Sequence, residues 1–200
     1  MRRREKKRRK REPAPDPAPG ELEIVQSFVN TSDPGERRDE LATARSASRW
    51  LSGRSLLPSG TTLTDEERER AIAVREALRA LLRENAGGKL RPDAVERLDE
   101  AIADARFQLR FNRDGSARFE PASTGLDDAL GRILEIVVTS RHAGEWTRLK
   151  ACGVASCRRA FWDASKSRTT KWCTARCGDR VRSERYRGTD KFRQRQKKRG

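Results

Sequence analysis

Four cysteines are the residues whose type and spacing most directly suggest chemistry, and all of them lie in one short stretch of the chain. Cys152 and Cys157 are separated by four residues, Cys173 and Cys177 by three, and fifteen residues lie between the two pairs. Two such close pairs can each form a turn that supplies two thiolates, and the turns can meet in a tetrahedral four-sulfur site. The spacing favours one structural zinc ion, since a site closed by four protein ligands leaves no open position for catalysis.

Three other chemistries of four cysteines are less favoured. Iron also accepts four thiolates, so the preference for zinc depends on the basic, finger-like surroundings and on metal availability. Two disulfides would require an oxidising compartment, whereas the charged N-terminus has no apolar stretch after it and does not resemble a secretory signal. A thioredoxin-like redox pair requires Cys-x-x-Cys, which neither pair has.

Zinc could also supply the free energy of folding that a segment with few aliphatic residues lacks. In finger peptides, zinc binding contributes about 10–16 kcal/mol.

Basic residues surround the cysteines and predict contact with phosphates. A run of charged residues is usually only a solvated surface, but this run coincides with a small rigid module that has no other evident binding feature. The candidate nucleic-acid-binding residues are Arg158, Arg159, Lys166, Arg168, Lys171, Arg176, Arg180, Arg182, Arg185 and Arg187. We expect DNA as the partner; the alternative is an RNA-binding or ribosome-associated protein, for which Trp162, Trp172 and Tyr186 are the nearby aromatic residues.

The net charge of +16 is concentrated at the two ends of the chain. Residues 1–12 carry a net charge of +7 and residues 145–200 a net charge of +13, whereas residues 13–144 carry −4. Such a polarised chain suits a polyanion, because Lys and Arg release the counterions condensed on phosphates. No apolar run approaches the ~20 residues of a spanning helix. We therefore expect no membrane association and a cytoplasmic, nucleoid-associated location.

The remainder of the chain must supply the elements that hold this module, and its patterning is mostly helical. Apolar residues recur at helical spacing in 22–29, which is also short enough for a strand, and in 36–51. The clearest helix is 64–85, where Thr64 and Glu67 form a capping box. Its predicted buried stripe consists of Val74, Leu78, Leu81 and Leu82.

A fourth helix and a β-hairpin follow. Residues 92–106 begin with Pro92 in the first turn, and they are expected to bury Val95, Leu98 and Ile102. Phe107, Leu109 and Phe111 then alternate, the chain turns at Asp114-Gly115 and it returns through Phe119, which is a hairpin pattern.

A last core helix is predicted after the hairpin, capped by Thr124 with Asp127. Its expected buried stripe consists of Leu126, Leu130, Ile133, Leu134 and Val137. The predicted fold class is mostly α (α+β), with a helical domain, one β-hairpin and a small C-terminal zinc module that ends in a short helix. The expected regions are a disordered basic, Pro-rich arm at 1–20, the helical domain at 22–142, the zinc module at 146–188 and a basic tail at 189–200.

An enzymatic function is not favoured. His142 is the only histidine and falls at a helix end, where a lone histidine is more often structural than a general base. No Ser/His/Asp order or phosphate loop emerges, and Asp127-Asp128 fits the negative charge preferred at a helix N-terminus. A ligand pocket would be lined by Arg49, Trp50 and Arg75, although a surface salt bridge and a core tryptophan are the favoured interpretation. The helical domain is expected to sense a small-molecule effector or to form a homodimer.

The run LKACGVASCRRAFWDASKSRTTKWCTARCGDR resembles the CGNR zinc finger. The matching residues are Phe161, Asp163, Ser165, Trp172, Cys173, Cys177, Gly178 and Arg180. The Asn of the family's name is Asp179 here, which exchanges an amide for a carboxylate that only accepts hydrogen bonds. Upstream, FVNT at 28–31, RWL at 49–51 and VREALRALL at 74–82 resemble the ABATE domain that precedes this finger in bacterial stress-induced transcription regulators. The resemblance implies zinc at the four cysteines and a DNA-binding role for the finger.

Overall fold

A computed structural model of the chain describes residues 16–103, 106–122 and 124–188. Most of the expected basic arm and all of the expected tail at 189–200 lie outside the described residues. The last five residues of the arm, 16–20, are held against the first helix: the amide N–H of Ala18 donates to Gln26 Oε1 at 2.5 Å, and Gln26 Nε2 donates to the carbonyl of Asp16 at 3.0 Å. Ordered structure therefore begins before Leu22.

The described chain is mostly helical, with three short antiparallel strand pairs. The helices are α1 (Leu22–Val29), α2 (Ala44–Ser52), α3 (Asp65–Asn85), α4 (Pro92–Ala101), α5 (Leu126–His142) and α6 (Ala175–Arg187). The strands are β1 (Ser32–Asp33), β2 (Arg38–Asp39), β3 (Phe107–Phe111), β4 (Ala117–Pro121), β5 (Leu149–Ala151) and β6 (Ala160–Trp162). This arrangement confirms the predicted fold class.

Helix α3 is the central element of the core. Its capping box is present as predicted, since the Thr64 side chain accepts from the N–H of Glu67 and Glu67 accepts from the N–H of Thr64. The predicted stripe is buried and packs against α1, α2 and α5. The predicted stripe of α5, from Leu126 to Val137, is buried as well. Burying each such aliphatic side chain contributes about 1.5–3 kcal/mol.

The helix predicted at 36–51 is wrong in its first half, because α2 begins only at Ala44. The preceding residues form β1 and β2 instead, with Ser32 paired to Asp39. The Asp39 carboxylate explains this difference: it accepts from the N–H of Leu41 at 2.8 Å and from the Arg75 guanidinium at 2.7 and 3.0 Å. These bonds hold the backbone in a turn, and the helix starts at the next capping residue, Thr43.

Two smaller predictions about helix packing are also wrong. Thr124 does not cap α5; the N-cap is Gly125 with φ +66°, and Asp127 accepts from Arg70 at 2.6 Å. Val95 of α4 is 37% exposed, while Ala94 and Ala101 are the buried residues of that helix. Leu98 and Ile102, the other two residues predicted to be buried, are partly buried against the main core, so the prediction is wrong only for the valine.

The predicted hairpin is confirmed, with Phe107 paired to Pro121 and Phe111 paired to Ala117. The β3 side chains of Phe107, Leu109 and Phe111 are exposed rather than buried. The alternation in the sequence therefore identified the strands but not a buried face.

A second hairpin, β5–β6, and helix α6 form the C-terminal region, which packs directly on the helical domain. Leu149, Ala151 and Ala160 belong to the same buried apolar cluster as α1, α3 and α5. The Asn30 side chain donates to the carbonyl of Ala160 at 2.9 Å and accepts from its N–H at 2.8 Å. The hydrophobic core thus continues across the predicted boundary at residue 146.

Across 16–103, 106–122 and 124–188, every helix is too short or too polar to cross a membrane.

Candidate metal centre and nucleic-acid interface

The four cysteines are brought together by two local structures. Cys152 directly follows β5, and Cys157 lies in the tight turn before β6, where its N–H donates to the carbonyl of Val154 at 2.9 Å. The turn requires a left-handed backbone at Arg158, with φ +56°. Cys173 precedes the α6 N-cap, Thr174, whose hydroxyl accepts from the N–H of Cys177 at 3.3 Å. A strand turn and a helix N-terminus therefore each supply two sulfurs.

The distances between the sulfurs fit a tetrahedral zinc site. All four Sγ atoms lie within 4.8 Å of one another. The Sγ atoms of Cys157 and Cys173 are 3.5 Å apart, and those of Cys173 and Cys177 are 3.8 Å apart. Four sulfurs at a Zn–S distance of about 2.3 Å would be separated by roughly 3.8 Å at the corners of a tetrahedron. The donor set is thus that of one structural zinc ion, and it is shielded from solvent because Cys152 and Cys177 are buried.

The close approach of the sulfurs makes their ionisation interdependent. Hydrogen bonds from Cys157 and Cys173 hold the pKa of Cys152 far below its ordinary value. Bonding to Cys152 in turn raises the pKa of Cys157 and of Cys173. The thiols of Cys152, Cys157 and Cys173 therefore do not ionise independently, and a divalent cation bound among them would favour their thiolate forms.

A buried ion pair organises the loop between the two cysteine pairs. Lys150, only 2% exposed, donates to Asp163 Oδ2 at 2.6 Å and to the carbonyls of Arg168 and Thr170 at 2.5 and 3.2 Å. Asp163 also accepts from the N–H groups of Ser165 and Thr170 at 3.1 and 3.0 Å. Burial raises the pKa of Asp163, but the hydrogen bonds from Lys150, Ser165 and Thr170 together outweigh burial and hold that pKa well below its usual range. The pair fixes residues 164–171 to β5.

Two of the predicted nucleic-acid-binding residues contact the helical domain instead of projecting freely. The Arg159 guanidinium donates to Asp33 at 2.8 Å and is 20% exposed, and Arg158 donates to Glu76 at 2.6 Å. Arg79, which is buried, donates to the carbonyl of Arg158 at 2.8 Å. These contacts position the cysteine turn on β1 and α3.

The other predicted residues are exposed, and three of them share one face of α6. Arg176, Arg180 and Arg187 follow one another at helical spacing, on the side opposite the buried Gly178. Arg180 also donates to Ser156 Oγ at 2.5 Å, which links this face to the cysteine turn. The remaining exposed residues of the predicted set are Lys166, Arg168, Lys171, Arg182 and Arg185.

Asp179, which replaces the Asn of the family's motif, lies on the exposed side of α6. Its carboxylate accepts from the Arg182 guanidinium, three residues further along the helix. The substitution therefore adds a negative charge and engages one of the arginines predicted to contact nucleic acid.

The three residues predicted to line a ligand pocket have separate surroundings. Arg49 is exposed on α2. Trp50 is buried, with its ring 5.6 Å from that of Phe28 and with the Arg54 guanidinium 3.9 Å from its centroid. Arg75 is buried and pairs with Asp39. None of the three lines the cavity between α3, α4 and the cysteine turn.

Sequence reasoning missed the residues that join the two regions. Asn30 binds Ala160, and Asn85 of α3 donates to the carbonyls of Trp146 and Leu149 at 2.9 and 2.8 Å. The charge pattern also does not distinguish Lys150, which is buried, from the exposed basic residues around it. The sequence does contain a signal for this pair, because Lys150 and Asp163 each lie in a short apolar segment. Lysine and aspartate are seldom buried unless they are paired, so their placement predicts an ion pair.

The fold and the site together define a zinc-finger protein: a mostly helical domain that carries a C-terminal four-cysteine metal module. The chain belongs to the ABATE family, described as "Putative stress-induced transcription regulator", which matches residues 22–146. The CGNR zinc finger family matches residues 148–188. Both matches fall in the order that the sequence resemblance implied, and neither family is an enzymatic one. No curated protein matches the chain.

Proposed function

We propose that this protein is a non-enzymatic, zinc-dependent DNA-binding transcription regulator, in which α6 and the loop 164–171 contact DNA phosphates. The observation that carries the proposal is the row of exposed arginines on α6, Arg176, Arg180 and Arg187, fixed in space by the cysteine cluster at the start of the helix. Arginine suits this role because its guanidinium is always charged and binds phosphate in a bidentate manner. The proposal implies a location on the bacterial nucleoid.

The electrostatics of the row support phosphate contact. Helix α6 contains only Asp179 and Glu184 as acids, and Asp179 is already paired with Arg182. Lys166, Arg168 and Lys171 extend the positive surface along the loop that Lys150 and Asp163 hold in place. A fixed row of cations also has less side-chain and backbone freedom to lose on binding than a flexible tail has.

Duplex DNA is favoured over single-stranded RNA because few aromatic side chains of the described module are exposed to solvent, where they could stack on bases. Trp162 packs against the main core, and Trp172 packs against the cysteine cluster. Tyr186 is the exposed aromatic residue of the described module, 44% accessible on α6. RNA recognition by stacking ordinarily uses several exposed aromatic rings on one surface.

The test is a fluorescence-anisotropy titration of the zinc-loaded protein with duplex DNA at several salt concentrations. We expect Arg176→Gln to lower affinity and to reduce the slope of log affinity against log salt by about 0.9, one phosphate contact. Arg45→Gln removes the same charge from the exposed surface of α2 and is the matched control. Equal effects of the two substitutions would refute contact by α6.

A competition assay addresses the choice of nucleic acid. Structured RNA of the same length and charge should displace the duplex less well than unlabelled duplex does. Equal or better displacement by RNA would favour the RNA-binding alternative. Crosslinking and sequencing in cells should accordingly enrich promoter DNA over transcripts if the protein regulates transcription.

A further inference from the structure

A groove separates α3, α4 and the turn that carries Cys152. Its volume is about 700 Å³, within the range of roughly 300–1,000 Å³ typical of small-molecule sites. The α3 side of the groove is a regular helical stripe that runs from Glu69 to Arg83, opposite the stripe that α3 buries in the core. The turn closes one end through Gly153 and Ala155.

The floor of the groove is apolar and built from small side chains. It consists of Ile72, Ala73, Ala77, Ala80 and Ala94. Alanine side chains are too short to fill the space between two helices, and the larger apolar residues of α4 do not line the groove: Val95 is exposed and Leu98 packs against the main core. The floor therefore offers a flat apolar surface on which a ring could lie.

The charges around the floor leave a positive excess. Five arginines and three acids line the groove, and each acid already has an arginine partner: Glu76 binds Arg158 at 2.6 Å, Asp93 binds Arg91 at 2.8 Å, and Glu69 binds Arg68. An anionic ligand in the groove therefore meets guanidinium groups and is not repelled by an unpaired carboxylate. A cationic ligand would have to break one of these ion pairs.

Arg83 is the guanidinium best placed to receive an anion. It is half-buried, and its Nη2 donates to the carbonyl of Gly153 at 3.3 Å. Within the part of the chain that the structure describes, it forms no ion pair. The guanidinium lies directly against this glycine, since a Cβ added at Gly153 would lie 3.2 Å from Arg83 Nη1. A guanidinium held in this way is preorganised for a carboxylate or sulfonate.

We propose that this groove binds a small organic anion with a flat apolar body, its ring on the alanine floor and its acid group on Arg83. The ligand would touch both α3 and the turn that carries Cys152, so the site spans the contact between the helical domain and the metal module. The inference does not depend on DNA binding by α6. The groove would accept its ligand whether or not α6 contacts phosphates.

A pair of fluorescent probes tests the site on the full zinc-loaded chain. The anionic probe is 1-anilinonaphthalene-8-sulfonate, and the control probe, N-phenyl-1-naphthylamine, has the same rings without the sulfonate. We expect the sulfonate to bind at one site and at least fivefold more tightly than the neutral probe. Arg83→Gln should weaken sulfonate binding at least fivefold and leave the neutral probe unchanged, while Arg45→Gln should change neither.

A variant that fills the groove shows whether the probes bind there or on another apolar surface of the protein. Ala80→Trp should abolish binding of both probes, with folding verified by the unfolding temperature. If that variant does not fold, Ala73→Leu, at a half-buried position on the same floor, should lower binding of both probes at least threefold. Unchanged binding in the folded filled variant, equal affinities for the two probes, or equal effects of Arg83→Gln and Arg45→Gln would each overturn the proposal. No nucleic acid enters these assays, so their failure leaves the proposed function standing and the reverse also holds.

Discussion

The buried pair of Lys150 and Asp163 gives the sharpest prediction about stability. Asp163→Ala would leave the Lys150 ammonium buried with only the carbonyls of Arg168 and Thr170 as partners. It would also leave the N–H groups of Ser165 and Thr170 without the acceptor they now share. Removing one member of a buried ion pair costs about 3–5 kcal/mol, a large part of the 5–15 kcal/mol typical of a domain.

A double-mutant cycle isolates the interaction between the two side chains. Lys150→Met keeps the length of the aliphatic stem without the charge, and it should also destabilise the fold, because the Asp163 carboxylate is then buried without a cation. The double variant should be less destabilised than the sum of the two single variants, by about 1–3 kcal/mol, since neither charge is then left unpaired.

The assay is urea unfolding of the zinc-loaded protein at pH 7, followed by tryptophan fluorescence. A metal-release measurement in parallel shows whether the loop 164–171 loosens the cysteine cluster as well. A cost below about 1 kcal/mol for Asp163→Ala, or strict additivity of the two single variants, would contradict the reasoning; both outcomes would mean that water replaces the pair at little cost.

Three further predictions concern the metal, the family motif and pH. Chelation of zinc, or Cys177→Ser, should abolish duplex binding in the anisotropy assay, because the start of α6 is held by the sulfur cluster; retained binding would show that α6 is ordered without metal. Asp179→Asn should tighten duplex binding by about two- to fivefold at low salt, because it removes a negative charge from the exposed side of α6 and releases Arg182; weaker binding would show that the carboxylate itself makes a favourable contact. Burial raises the pKa of Glu76, but Arg79, Arg75 and Arg158 outweigh burial and lower it below 4.5, so its contribution to stability is complete above that pH and is lost as the pH falls below it. The free energy of unfolding of Glu76→Gln should therefore fall less than that of the wild type between pH 6 and pH 3, and equal falls would contradict this role.

The parts of the fold that could be predicted from sequence are those set by near neighbours along the chain. The capping box at Thr64 and Glu67 spans three residues, and each cysteine pair spans four or five, so a short stretch of sequence carries the whole signal. The hairpin turn at Asp114-Gly115 is equally local, because a glycine with φ +82° marks it.

The parts that could not be predicted depend on partners far away in sequence. Arg158 and Arg159 look like the other arginines of the basic run, but their carboxylate partners lie 82 and 126 residues earlier. Asp39 likewise stops a helix early because it binds Arg75, 36 residues later. Charge patterning identifies a basic region, but only the folded chain shows which arginines are already bound within it.

The apolar cluster that runs from α1 and α3 into β5 and β6 constrains how the two parts of this chain can evolve. A finger that buries Leu149, Ala151 and Ala160 against its host cannot be transplanted to another protein as a self-sufficient cassette, because the excised piece would expose that face to water. Asn30 and Asn85 would likewise have to be reproduced by any new host. The two parts of this chain should therefore be inherited and lost together, and substitutions at their contact should compensate one another.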